Sequence, residues 1–166
     1  MNNLITTKKI VFFIFLISFI FSFLINFLFK FNKGTLLISN TTNLNSFELF
    51  STILIKNTIC FLIILSSIFI SKYIVYIFLF INGYNLGAII SQFTNVKHFL
   101  LIIPHGVTEI YSFLFLSVIT LKILKFEYIS PKDKRNIIFS FLILLLSAFI
   151  EAFITPYIYI KFVIGG

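Results

Sequence analysis

Apolar residues run through this chain in blocks about as long as a bilayer is thick, and polar residues gather between the blocks. Ile10 to Phe29 is 20 residues without a charge, which at about 1.5 Å per helical residue spans a hydrocarbon core of about 30 Å. Lys30 to Glu48 is polar, with Asn40-Thr41-Thr42-Asn43 at its centre and Gly34 as a breaker, and reads as the longest loop outside the membrane. Ile53 to Phe93 is apolar over twice the spanning length, interrupted at Lys56-Asn57, at Ser71-Lys72 and from Asn82 to Gly87. Two helices joined by a tight hairpin at Lys72 fit this stretch; a re-entrant pair is the rival. His98 to Leu121 follows, then a basic loop marked by Pro131, then Ile137 to Val163, in which Pro156 should kink the helix.

Continuous apolar runs, rather than period-two alternation, favour helices over a barrel. The expected fold is all-α: a polytopic transmembrane bundle forming a single domain. About five spans are expected, near 10–29, 53–71, 73–95, 99–121 and 137–160, one of them re-entrant or broken. No small-x-small cleavage site follows the first span, so it reads as a retained anchor.

Composition agrees with lipid as the solvent. Of the 166 residues 60% are hydrophobic and 11% charged, with a mean hydropathy of +1.11, whereas a soluble domain carries roughly a quarter of its residues as charges. The net charge of +8 suggests no nucleic acid, because the basic residues stand at the ends of apolar runs instead of forming one stripe. They read as topology signals and headgroup contacts. Tyr73, Tyr128 and Tyr157 fall where an interfacial belt would be, without any Trp. Cys60 has no second cysteine to pair with.

Charge also orients the spans. With a hairpin at Lys72, the amino terminus, Lys72 and the cluster Lys122, Lys125, Lys132, Lys134 and Arg135 all fall on one side, which the positive-inside rule makes cytoplasmic. A single long helix from Ile53 to Ile81 would put that cluster outside. Five spans, amino terminus inside and carboxyl terminus outside, is the reading adopted.

Ionisable groups inside a membrane helix are costly and therefore draw attention to function. His105, Glu109 and Glu151 are the three, and His105 and Glu109 share a helix face at a spacing of four. Counting helical rise puts His105 roughly 8 Å, Glu109 roughly 14 Å and Glu151 roughly 9 Å below the outer face. Asn57, Asn82, Asn85 and Gln92 fall at middle or outer depth, so the polar groups converge on one layer. Pro104 and Gly106 flank the histidine and suggest a broken or closely packed helix start. The plainer reading is structural: buried Asn serves as interhelical glue, Gly83 and Gly87 permit close packing, and Lys56 and Lys161 snorkel. His98 reads as a loop residue.

No phosphate loop, nucleophile elbow or cysteine pair appears. Neither catalytic residues, nor a metal site, nor a cofactor is assigned. One His with two carboxylates is chemically able to hold a metal, but a His-x-x-x-Glu pair is not a zinc-protease motif.

Three motifs together resemble a known family. Pro104-His105-Gly106 followed by Glu109, the upstream Asn82-Gly83 with Gly87, and Glu151-Ala152-Phe153-Ile154-Thr155-Pro156 are similar to the stage II sporulation protein M family, over about Phe47 to Pro156. The resemblance implies a multi-pass membrane protein without established enzymatic activity. In spore formers the named member anchors peptidoglycan-degrading partners at the membrane, and short relatives accompany circular bacteriocins in maturation, export or immunity. The leading expectation is a scaffold in the cell membrane that binds membrane or wall-associated proteins. An export or immunity component is second, and an intramembrane metal-dependent enzyme third.

Overall fold

The computed structural model describes residues 2–29, 45–93 and 99–159, and no strand occurs among them. The segments are rich in Ile, Val and Phe, residues that favour strands in water. Lipid offers no partner for a backbone amide, so each segment satisfies its own backbone by coiling into a helix. The helices are α1 (Asn2–Phe29), α2 (Ser46–Ser66), α3 (Lys72–Ser91), α4 (Phe99–Phe126) and α5 (Pro131–Phe149). A π-helical turn at Ile150–Ile154 and a short α6 (Thr155–Tyr159) continue α5. Five helices are long and apolar enough to cross a membrane, the last being the continuous run Pro131–Ile158.

The lateral contacts fix how the helices run. Gly83 of α3 abuts Phe15 and Ser18 of α1, and Gly87 abuts Phe19, Ser22 and Phe23, so α1 and α3 are parallel. Ser112 meets Ser140, and Lys122 meets Asp133, so α4 and α5 are antiparallel. Phe61 packs on Phe141 at 5.2 Å and Phe50 on Phe153 at 6.1 Å, which sets α2 antiparallel to the last span. One end of the bundle therefore carries the start of α1, the α2–α3 connection and the α4–α5 connection. Both connections are brief, at residues 67–71 and 127–130.

The α2–α3 connection is a hairpin between two full spans. Ile70 N–H donates to Ser66 O at 3.2 Å, and Ser71 caps α3 by accepting from Tyr73 N–H at 3.3 Å. In the α4–α5 connection Glu127 adopts φ 50° to end α4, and Ser130 with Asp133 forms a capping box around Pro131.

The bundle's inside and outside differ from those of a soluble protein. Phe, Ile and Leu crowd its exposed surface, for example Phe12, Phe21, Phe27, Ile55 and Leu142. Small residues fill contact faces: Ser18, Ser22, Ser112, Ser140, Ser147, Ala148 and Ala152 are all fully buried. Lipid tails are as apolar as Leu, so helices gain most where small side chains let backbones approach. A larger core of Phe61, Ile64, Val75, Leu79, Leu116 and Leu144 ties the helices together, and Ile53, Ala148 and Ala152 form a second cluster between α2 and the last span.

Pro104 lies within α4, and the helix continues through it. The irregular helix is the last one. Pro156 has no N–H for the carbonyl of Ala152 and its ring crowds that carbonyl; just before it, Thr155 N–H reaches back five residues to Ile150 O. A π-turn results, and Glu151 sits in it. Tyr73, Tyr128 and Tyr157 are each more than 60% exposed, as a belt requires.

Candidate functional site

Glu109 occupies the middle of α4 and is half-buried. It faces a cavity of about 200 Å³ between α1, α3 and α4, bounded by Phe15, Phe78, Leu79, Asn82, Asn85, Leu86, Gly106 and Phe113. Gly106 precedes Glu109 by almost one turn, and a Cβ there would meet only the Ile102 side chain. The missing side chain leaves room for the cavity beside the carboxylate. Among the described residues Glu109 makes no hydrogen bond and no ion pair.

Asn82 and Asn85, three residues apart on α3, line that cavity together. They also line a second one, between α2 and α3, bounded by Cys60, Ile63, Ile77, Phe78 and Ile81. Asn82 donates its amide to Phe78 O of its own helix at 2.8 Å. That bond is intrahelical, so it does not glue α3 to a neighbour, and its carbonyl oxygen is left for another donor.

Three residues of α2 extend the polar layer towards the last span. Cys60 is within electrostatic reach of Glu109. Asn57 is 7% exposed, and its amide nitrogen has no partner among the described residues. Lys56 is within electrostatic reach of Glu151 in the π-turn, and the carboxylates of Glu109 and Glu151 are within reach of each other. Glu109, Asn82 and Asn85 therefore share one cavity, and Glu151 in the π-turn is within electrostatic reach of Glu109 without lining it. An acid and two amides in an apolar wall can hold a cationic or hydrogen-bond-donating group.

His105 lies on α4 four residues before Glu109; its side chain is outside the described residues, as are His98 and Lys161. Among the described residues no three of His, Cys, Asp and Glu come together as metal ligands. Gly83 and Gly87 face α1 and do packing work: a Cβ on Gly83 would overlap Ser18 Oγ and lie 2.5 Å from Phe15 O. Gln92 caps the far end of α3.

The pattern reading missed one polar centre. Asp133 is 2% exposed and takes Lys122 Nζ at 2.7 and 3.0 Å, with the Ser130 hydroxyl at 2.6 Å. Its signal was present in the sequence, since Ser130-Pro131-Lys132-Asp133 has capping-box spacing just before an apolar run.

A family model described as Stage II sporulation protein M matches residues 10–156. No curated protein and no solved structure matches the chain.

Proposed function

The chain belongs to the stage II sporulation protein M family, and from that premise we propose that it is a non-enzymatic scaffold in the cell membrane, holding partner proteins such as cell-wall hydrolases. The observation that carries this reading is how few of the described residues stand outside the helices. The α2–α3 and α4–α5 connections span only residues 67–71 and 127–130, too short to build a catalytic domain. Binding must then use helix surfaces, which present exposed aromatic and aliphatic side chains along every span, together with the segment between α1 and α2. The amino terminus and both short connections lie in the cytoplasm. Lys8, Lys9, Lys72, Lys122, Lys125, Lys132, Lys134 and Arg135, eight of the 13 basic residues, stand at that end.

Affinity purification from the native membrane in mild detergent tests the scaffold. Recovery of a wall-associated hydrolase supports it, and folded protein recovered alone counts against it.

The cavity at Glu109 favours a second reading, an export, maturation or immunity component for a peptide such as a circular bacteriocin. An acid at membrane depth with no described hydrogen-bond partner is more than a scaffold needs, and such groups mark substrate pathways. Gene neighbourhood separates the two readings: engulfment hydrolases favour the scaffold, a bacteriocin precursor with a transporter favours export.

A further inference from the structure

A separate cavity opens at the basic end of the bundle, away from Glu109. It measures about 400 Å³ and lies between the start of α1, the start of α3 and the end of α4, within the size range of about 300–1,000 Å³ common for ligand sites. Two of its walls carry ammonium groups, Lys72 and Lys125. No carboxylate lines it, and among the described residues neither lysine has an ion-pair partner; the ion pair at this end uses Lys122 and Asp133. Lys72 lies 5.6 Å above the Tyr73 ring, a contact that orients the ammonium without neutralising it.

Two like charges across one cavity repel, and an anion between them relieves that repulsion. The remaining lining says what kind of anion. Thr6, Thr7 and Tyr76 place hydroxyl groups in the wall, whereas Ile10, Leu121 and Leu124 make the rest of it apolar. Inorganic phosphate has no use for an apolar wall. A phospholipid presents a charged phosphate with hydrocarbon immediately behind it, and basic pockets between transmembrane helices on the cytoplasmic side suit such headgroups.

We infer that Lys72 and Lys125, with the Tyr76 hydroxyl beside them, form a binding site for the phosphate of an anionic phospholipid, whose glycerol and first methylenes lie on Ile10, Leu121 and Leu124. The bound lipid bridges α1, α3 and α4 where, among the described residues, no protein ion pair does so. This site is independent of the scaffold or export role.

The test is native mass spectrometry of the full chain in detergent, titrated with phosphatidylglycerol, with phosphatidylcholine and with inorganic phosphate. Phosphatidylglycerol adducts should persist at activation energies that strip phosphatidylcholine. The double variant Lys72→Ala with Lys125→Ala should lower phosphatidylglycerol affinity by about tenfold or more, the loss of two basic contacts at a membrane surface. Lys72→Arg with Lys125→Arg should restore it, and Lys132→Ala, an exposed lysine at the same end outside the cavity, should leave it within about twofold. Size-exclusion profile and helical circular dichroism establish that each variant is folded. Should the double alanine variant not fold, Lys125→Ala alone must still lower the affinity severalfold. Equal retention of the two lipids, or unchanged affinity in a folded lysine variant, overturns the site. Displacement of phosphatidylglycerol by millimolar inorganic phosphate overturns the lipid assignment in favour of a free anion.

Discussion

Gly83 on α3 lies so close to Ser18 on α1 that a single methyl on the glycine would overlap the serine oxygen. Four residues on, a Cβ at Gly87 would collide with Phe19 O and sit 2.9 Å from Phe23 N. The obstacles are largely backbone, which cannot rotate away. Gly83→Leu or Gly87→Leu should therefore separate α1 from α3, at a cost of at least the roughly 1–3 kcal/mol of an overpacked core. Gly106→Ala should cost less, because the atom it would meet is the Cγ2 of Ile102. The one cysteine, Cys60, is half-buried, so a thiol-reactive dye follows unfolding in detergent. Melting temperatures of Gly83→Leu and Gly87→Leu equal to the parent's would mean that the helices do not approach as described.

These two glycines also show what the sequence could and could not tell. Their spacing of four announced a close helix contact, and the apolar runs together with the placement of Lys and Arg announced five spans. The partner helix was not legible, because α1 contributes Ser18 and Ser22, a small pair hidden among phenylalanines and isoleucines. Hydropathy counts the whole turn and misses which face is small. Helical spacing put His105 and Glu109 on one face, but could not say that Asn82 and Asn85 would line Glu109's cavity, since which helices neighbour each other is a matter of tertiary packing. The π-turn at Glu151 lay beyond the kink that Pro156 announced, because the rearrangement depends on which carbonyl finds a donor.

Asp133 should prove the most sensitive polar residue at the basic end. Its carboxylate takes Lys122 and both the hydroxyl and backbone N–H of Ser130, so it caps α5 and pins it to α4. Asp133→Ala should destabilise by about 1–3 kcal/mol, the loss of a cap and a charged hydrogen bond. Asp133→Asn should cost less, because an amide oxygen still serves the cap. In a double-mutant cycle Lys122→Ala should add little once Asp133 is gone. Strict additivity would show that the 2.7 Å contact does no energetic work.

Ser112 and Ser140 make a second tie between the same helices, each hydroxyl donating to the other's main-chain carbonyl at 2.7 and 2.9 Å. Both are fully buried. Either alanine variant should cost about 0.6 kcal/mol, the average for interhelical hydrogen bonds measured within a membrane protein. Thermal unfolding in detergent checks it, and a stabilised variant would contradict the assignment.

Parallel α1 and α3, with basic residues gathered at one end, predict how the bundle is oriented. A reporter fused after Arg135 should read cytoplasmic, and one fused at Gly166 should read external. The same reading on both sides of the last helix would rule out the five-span arrangement.

Glu109 and Glu151 pose the sharpest question, because the fold has no evident need of either. Glu109 has no hydrogen bond to a described residue, so Glu109→Gln removes a charge and keeps the shape. The charge is costly there: insertion scales put a comparable acid, Asp, at roughly 2.5 to 3.5 kcal/mol at a helix centre. Glu109→Gln should therefore leave the melting temperature unchanged or raise it, while a partner or peptide captured by the parent is captured less. Glu151 differs, because Lys56 lies within its electrostatic reach. Glu151→Gln removes that attraction, so a double-mutant cycle with Lys56→Gln should show a coupling between the two positions. Loss of stability in Glu109→Gln with capture unchanged would reduce Glu109 to a packing residue. Independent effects of Lys56 and Glu151 would remove α2 from the site and leave the cavity bounded by α1, α3 and α4 alone.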